Sequence, residues 1–274
     1  MSDLSELQKQ LKELDDFEFE PFDADKQIAY NKLFDEIFTG CKTSGHINVY
    51  NKGQHFHRIR VWEDGIGYHT VGEIWYPPKK FYVPGRLNAP HQRLLYTSIE
   101  PHIALIEKSP ATSEKGTLLS IGIDTKELIC MELGIDAMTD DQRMLPTQRD
   151  LNLFKYICGK CRQRVPSDKP YLYLPTIRFR SGYAKAKFNA YIYHSVAANL
   201  KGHNVAFRPD YIDDHHKFRC ARNIEIMTKR SADDFDFKCI SLATTLDAEG
   251  KFIFKRINNC TGHRTIGFRG FDCS

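Results

Sequence analysis

No stretch of this chain approaches the roughly 20 successive apolar residues that a bilayer-spanning helix needs, so no membrane partner is expected. The opening residues, MSDLSELQKQLKELDDFEFE, have neither the basic start and apolar run of a secretory signal nor the arginine-rich character of a transit peptide. A soluble, cytoplasmic protein is the expectation, with delivery into another cell by a signal-less route left open. Phosphate-cradling glycine loops of the Rossmann or Walker type are missing, and no Gly-x-Ser-x-Gly elbow marks a serine nucleophile. Neither an internal repeat nor a low-complexity tract is present. Lysine and arginine are interleaved with acids and form no basic run, which makes nucleic acid the weakest candidate partner.

Cysteine is plentiful but poorly ordered. The eight are Cys41, Cys130, Cys158, Cys161, Cys220, Cys239, Cys260 and Cys273. Their irregular spacing and the missing signal peptide favour reduced thiols over a disulfide framework. Cys158-Gly159-Lys160-Cys161 is half of a zinc knuckle in form. A second pair is needed, and no other Cys-x-x-Cys exists. His215, His216, Cys220, Cys239, Cys260 or His263 would have to complete a structural zinc site from a distance. The competing reading is two reduced thiols in a turn after a helix. The pair His55 and His57 and the run Asp213, Asp214, His215 and His216 are better read as surface or supporting groups than as metal ligands.

What the chain does hold is an ordinary globular composition over 274 residues, 41% hydrophobic and 12% aromatic, long enough to bury a sizeable core. Its net charge of +4 hides a gradient: residues 1–36 carry eleven acids against four lysines, a balance of −7, which leaves +11 on the remainder. Leu4, Leu7, Leu11 and Leu14 recur at helical spacing and predict an amphipathic helix over residues 4–16, with a second over residues 25–39. Residues 1–45 thus read as an acidic helical extension. It packs on the body, serves as a partner-binding or dimer-forming arm, or closes over the basic body as a lid.

From Asn48 the texture becomes β-like. Strands are predicted over residues 56–61 and 94–97, followed by a helix over 100–108. A hairpin is predicted from 118–123 and 127–132, joined across Asp124-Thr125-Lys126. Helices are expected at 141–157 and 182–200. Late strands are expected at 204–207, 222–227, 239–244 and 252–256. The body, residues 46–274, is expected to be one α+β domain.

Two blocks, residues 55–107 and 171–209, carry a family resemblance. The first holds Arg58 on a strand, the turn Gly85-Arg86-Leu87-Asn88, then Tyr96 ending a strand, then Ala104-Leu105-Ile106-Glu107. The second, YHSVAANLKGHNVAFRP, supplies Ser195, Asn204 and Pro209. Five elements in this order resemble the RES-domain family. The match covers about half the chain, and the gap between Glu107 and Ser195 is longer than in a compact member.

The resemblance implies an ADP-ribosyltransferase-like fold and NAD as substrate, cleaved between nicotinamide and ribose by hydrolysis or phosphorolysis. It also implies the toxin of a toxin–antitoxin or effector–immunity pair, with a cognate inhibitor as partner.

The residue types suit such chemistry. Nicotinamide departs as a neutral molecule, so no acid is needed for the leaving group, unlike ordinary glycoside cleavage. One carboxylate, Glu107, would steady the growing oxocarbenium charge. Arg58 and Arg86 suit a pyrophosphate because guanidinium groups bind oxyanions bidentately. Tyr96 offers a ring to stack on nicotinamide and a hydroxyl to orient it. Ser195 would hydrogen-bond a ribose or phosphate, and Asn204 is grouped with the NAD-binding residues. Arg60 competes with Arg58, since residues two apart on a strand share one face. Taken singly, each of these side chains is ordinary: a helix-end carboxylate, a half-buried aromatic, a loop hydroxyl. Transfer of ADP-ribose to a macromolecule, and an inactive NAD-binding module, are the alternatives.

Overall fold

The computed structural model describes residues 2–41, 47–51, 53–63, 65–76, 84–124, 127–134, 147–182, 188–257 and 261–263. Helices α1 (Ser2–Asp15) and α2 (Ala24–Phe38) open the chain, and strands β1 (Ile47–Asn51) and β2 (His55–Val61) follow. Then come α3 (Val71–Trp75), β3 (Leu95–Ser98), α4 (Pro101–Lys108), β4 (Lys115–Ile123), β5 (Glu127–Leu133) and α5 (Gln148–Arg162). A short 3-10 turn, Pro170–Tyr173, leads into α6 (Leu174–Gly182), β6 (Ala190–His194), β7 (His203–Phe207) and α7 (Pro209–His215). The last elements are β8 (His216–Lys229), β9 (Phe235–Ala243), β10 (Lys255–Arg256) and β11 (Thr261–His263). The fold is mixed α+β.

The strands run β1-β5-β6-β7-β3-β2-β4-β8-β9-β10, with β11 also on β9. Among the described strands, only β5 and β6 pair in parallel. At the centre, β3 and β2 meet through a single residue pair, His57 with Ser98. That thin join divides the sheet into two halves. Because strand side chains alternate between faces, each half presents two apolar surfaces. Leu95, Cys130, Ile192, Val205 and Phe207 of the first half face Phe56, Leu119, Ile121 and Ala221 of the second in one cluster. The outer face of the first half, with Met131, Leu133, Tyr193 and Ala206, packs under the helices α1, α2, α5 and α6. On the outer face of the second half, Ile59, Leu118 and Ile224 receive Ile103, Leu105 and Ile106 of α4.

The expected hairpin of residues 118–123 and 127–132 does not form. β4 lies between β2 and β8, and β5 between β1 and β6, in opposite halves of the sheet. The burial pattern gives the reason. Every residue of β4 after Lys115 is buried, as in a strand covered on both faces, whereas a half-exposed hairpin strand would alternate. The helix expected over residues 182–200 is also overturned: Ala190–His194 is a fully paired strand, and the following turn carries Ser195. Tyr191, Ile192 and Tyr193 prefer a pleated surface, and that preference outweighs the alanines downstream. The helix predicted over 141–157 forms as α5, but from Gln148 to Arg162; its first expected residues, 141–146, lie outside the described ones.

The N-terminal arm is built into the structure. Leu7, Leu14, Tyr30, Phe34 and Ile37 are buried in the same cluster as Leu87, Leu153, Ile157 and Tyr193. Its acids meet α5, α6 and the segment between them: Asp35 pairs with Arg178, Asp15 accepts from Tyr156 (2.8 Å) and Lys160 (2.7 Å), and Glu20 from Lys169 (2.8 Å). The acidity of the arm is thus complementary to the helices beneath it. No helix among the described residues is long and apolar enough to cross a membrane.

Candidate functional site

The split between the half-sheets opens into a cavity of about 550 Å³, within the roughly 300–1,000 Å³ of small-molecule sites. Arg58, Arg86, Tyr96, Glu107 and Asn204 all line it. No described residue of the arm does, and the arm packs on the helices α5 and α6 instead of closing over the cavity in this structure.

Glu107 stands in the last turn of α4. Proline at the first position starts this helix with its φ already set, and Ser109 in the left-handed region ends it, its N–H bonded to Leu105 O at 2.8 Å. Four consecutive residues, Ile103 to Ile106, are buried and fix the helix on the sheet, which leaves Glu107 at the cavity. Its Oε1 accepts from Ser195 Oγ at 2.6 Å and from Asn204 Nδ2 at 2.5 Å. Asn204 is itself oriented, its Oδ1 accepting from Ser98 Oγ at 2.7 Å. Oε2 has no hydrogen-bond partner among the described residues.

Ser195 is fully buried and does not line the cavity. Its hydroxyl also accepts from Ala198 N (3.1 Å). The expected contact of Ser195 with a ribose or phosphate is therefore replaced by a contact with Glu107.

The Gly85-Arg86-Leu87-Asn88 segment is a turn closed by Gly85 N–H to Asn88 O (3.1 Å). A Cβ at Gly85 would stand 2.5 Å from Asn88 Oδ1, so only glycine fits. Tyr96 OH donates to that Oδ1 (2.7 Å) and accepts from Leu87 N–H (3.1 Å). Its hydroxyl is therefore occupied by the turn and held protonated by burial, far above the ordinary tyrosine range. The ring is what Tyr96 offers a ligand.

The turn aims Arg86 across the cavity. Its Nη1 donates to Cys161 O (2.5 Å) and Gln163 O (3.2 Å) at the end of α5, and its guanidinium lies over the rings of Tyr173 and Tyr193, 5.3 and 5.7 Å from the centroids. Cys158 and Cys161 are buried thiols within α5, not a turn after it. Burial raises the Cys161 thiol to about 12. No group of three or more potential metal ligands occurs among the described residues.

Arg58 bridges the split, its Nε donating to Ile74 O and its Nη1 to Tyr96 O, both at 2.7 Å. Burial, then Arg60, lowers it to about 10, so it stays charged at neutral pH. Arg60 is diverted to Glu63 and the Glu73 carbonyl, and does not line the cavity.

Three cationic lining groups were not foreseen, and His57, read from sequence as a surface or supporting group, also lines the cavity. Arg93 stacks over Tyr76 (4.6 Å) and lies 3.7 Å from Asp213, while Arg164 stands on the lip. Lys108 neighbours Glu107 and is lowered by its enclosure, then by Arg58 and Arg60. His57, its Nδ1 2.9 Å from Ser120 Oγ, is pushed down to about 3 by burial, then by His55, Arg222 and His102. It is a neutral imidazole at physiological pH. The described lining thus has five cationic side chains, Arg58, Arg86, Arg93, Lys108 and Arg164, against one carboxylate, Glu107. Such a cleft draws in anions and concentrates its one negative charge at a fixed point. Reading Ala190–His194 as a strand would have found Tyr193; nothing in the sequence flags Arg93 or Arg164.

A scan against protein-family models and a search of curated proteins each return no match for this chain.

Proposed function

We propose that this chain is an NAD-degrading enzyme that cleaves the nicotinamide–ribose bond, with the ADP-ribosyltransferase-like architecture implied by its resemblance to RES domains. The observation that carries the reading is the union, in one cationic cavity, of Arg58, Arg86 and a single carboxylate held on one oxygen by Ser195 and Asn204. The two guanidinium groups suit a dinucleotide's pyrophosphate. The rings of Tyr96 and Tyr193, 6.5 Å apart and edge-on, suit a flat heterocycle.

In this mechanism Glu107 stabilises the sugar cation as the C1–N bond lengthens. Because Oε1 is fixed in advance, no reorganisation is needed at the moment of charge development. Nicotinamide takes the bonding electron pair and leaves neutral. Water then adds to C1 from the opposite face and loses its proton to solvent, or an anionic phosphate oxygen adds there with no proton to lose.

Incubating pure protein with NAD, with and without phosphate, tests the proposal. Free nicotinamide with ADP-ribose or its 1″-phosphate is the expected result. A labelled macromolecule would redirect the reading to ADP-ribosyl transfer, and intact NAD would remove it. Growth arrest with loss of cellular NAD on expression is the expected sign of a toxin, whose inhibitor would cover this cleft.

A further inference from the structure

α4 ends in a conformation that its own sequence does not favour. The cap, Ser109, has φ 46° and ψ 49°, a left-handed geometry that glycine adopts freely and serine rarely. The last carbonyls of a helix have no partner within it, and that end carries partial negative charge. Glu107 lies two residues before the cap, where the helix dipole disfavours a carboxylate.

The group that secures this end comes from a distant strand. β8 finishes at Lys229, which pairs with Phe235 of β9. A lysine ammonium has three donors and no acceptor. Here it meets three acceptors at the end of α4: Ser109 O at 2.8 Å, Ser109 Oγ at 2.7 Å and Pro110 O at 3.0 Å. Beneath them Lys229 closes an apolar gap with Leu105, Pro110, Ile226 and Phe235 that has no space for a water molecule. The chain beyond the cap is tied to the same strand, with Ser113 N–H donating to Ile226 O (2.7 Å) and Ile226 N–H to Glu114 O (3.0 Å).

The two half-sheets thus share α4. Ser195 and Asn204, which hold Glu107 Oε1 at 2.6 and 2.5 Å, belong to the first half, whereas Lys229 belongs to the second. Bonds that short tolerate little displacement of the backbone that carries the carboxylate.

We propose that Lys229 is a positioning residue for Glu107: by clamping the left-handed end of α4 to β8, it holds the last turn where the carboxylate meets Ser195 and Asn204. Lys229 does not line the cavity, so it acts through Glu107 and not on a ligand. The kinetic consequence rests on the NAD reading; the structural one rests on the hydrogen bonds alone.

Lys229→Met keeps the apolar stem and removes the ammonium. Two quantities are read in the full chain, with folding checked by urea denaturation. One is NAD turnover; the other is the side-chain amide signal of Asn204 in a 15N–1H spectrum, which reports its bond to Glu107. A fall in kcat of about 10- to 100-fold is expected, the scale of a displacement of about 1 Å at a reacting group, with KM nearly unchanged. The Asn204 signal should move towards that of a free amide. Lys229→Arg, which keeps the charge and the donors, should recover most of the loss. Adding Ser109→Gly to Lys229→Met should recover part of it, because glycine takes the left-handed cap without strain. Should Lys229→Met fail to fold, Ser109→Ala removes one of the three acceptors and is expected to give the same Asn204 shift, smaller. A wild-type kcat, a loss carried by KM alone, or an unmoved Asn204 signal in the folded variant overturns the proposal. Wild-type protein that leaves NAD intact sinks the NAD reading instead, and the Asn204 signal then decides the role of Lys229.

Discussion

Replacing Ser195 by alanine separates a group that touches substrate from one that acts through Glu107. The Ser195 hydroxyl is fully buried and donates to Glu107 Oε1 at 2.6 Å. A hydrogen bond to a charged group contributes about 1.5–3 kcal/mol, which at 1.36 kcal/mol per decade is about 10- to 150-fold in rate. Asn204 still holds the same oxygen at 2.5 Å, so the lower part of that range is expected. The loss should fall on kcat with KM nearly unchanged, because Ser195 does not line the cavity. Ala198 N–H loses its acceptor, a stability cost of about 1–3 kcal/mol, so the assay is run well below the unfolding transition and checked by urea denaturation. Steady-state NAD turnover gives both constants. An unchanged kcat, or a loss carried wholly by KM, would refute the positioning argument.

Other consequences follow from the same geometry. Gly85→Ala forces a Cβ to within 2.5 Å of Asn88 Oδ1; it should destabilise by about 1–3 kcal/mol, the usual cost of overpacking, and weaken NAD binding by misaiming Arg86, read by denaturation and calorimetry. His57 lies at about 3 in the folded protein against an ordinary 6.5, so the unfolded chain binds the extra proton between these values. Stability is then present above about pH 6.5 and lost as pH falls towards 3. The limiting slope is about 1.4 kcal/mol per unit for a whole proton. His57→Gln should flatten the urea midpoint between pH 6.5 and 5 by about 1 kcal/mol, allowing for its partial exposure; parallel pH profiles would remove His57 as the cause. Deleting residues 1–40 should produce aggregation or a large fall in Tm, since it uncovers Leu87, Leu153, Ile157 and Tyr193. A stable, active truncation would mean the arm is dispensable.

The outline of the fold was legible where apolar spacing was strong. The two N-terminal helices, β2 and α4 fall within a residue or two of expectation; in the first two, Leu7 with Leu14 and Tyr30 with Phe34 and Ile37 are buried at helical spacing. Topology was not legible. The polar Asp124-Thr125-Lys126 link looks like a hairpin turn, and only the pairing of β4 with β2 on one side and β8 on the other shows that both its edges are taken. Local preference misled at Ala190–His194, where aromatic and β-branched side chains follow residues that read as helix.

At the site, the residues that gather were easier to foresee than their contacts. Arg58, Arg86, Tyr96, Glu107 and Asn204 meet in one cavity, yet Ser195 and the Tyr96 hydroxyl turn inward to hold Glu107 and the Gly85 turn. A sequence gives a hydroxyl's identity but not which of several neighbours it will satisfy, because that depends on pairings such as Tyr96 with Ala206 across distant strands. The supporting cations Arg93 and Arg164 come from loops with no local signature.

The central claim, that one oriented carboxylate drives scission of a dinucleotide gripped by two guanidinium groups, is tested most directly with Glu107→Gln. That substitution keeps the size of the side chain and removes its charge, whereas Arg58→Ala would also strip hydrogen bonds from the Ile74 and Tyr96 carbonyls. Nicotinamide release and NAD affinity are measured side by side for wild type and variant. Release should fall by about two orders of magnitude or more while NAD still binds within a few-fold of the wild-type affinity. Equal release by the folded variant, or a wild-type protein that neither binds nor consumes NAD, would contradict the account.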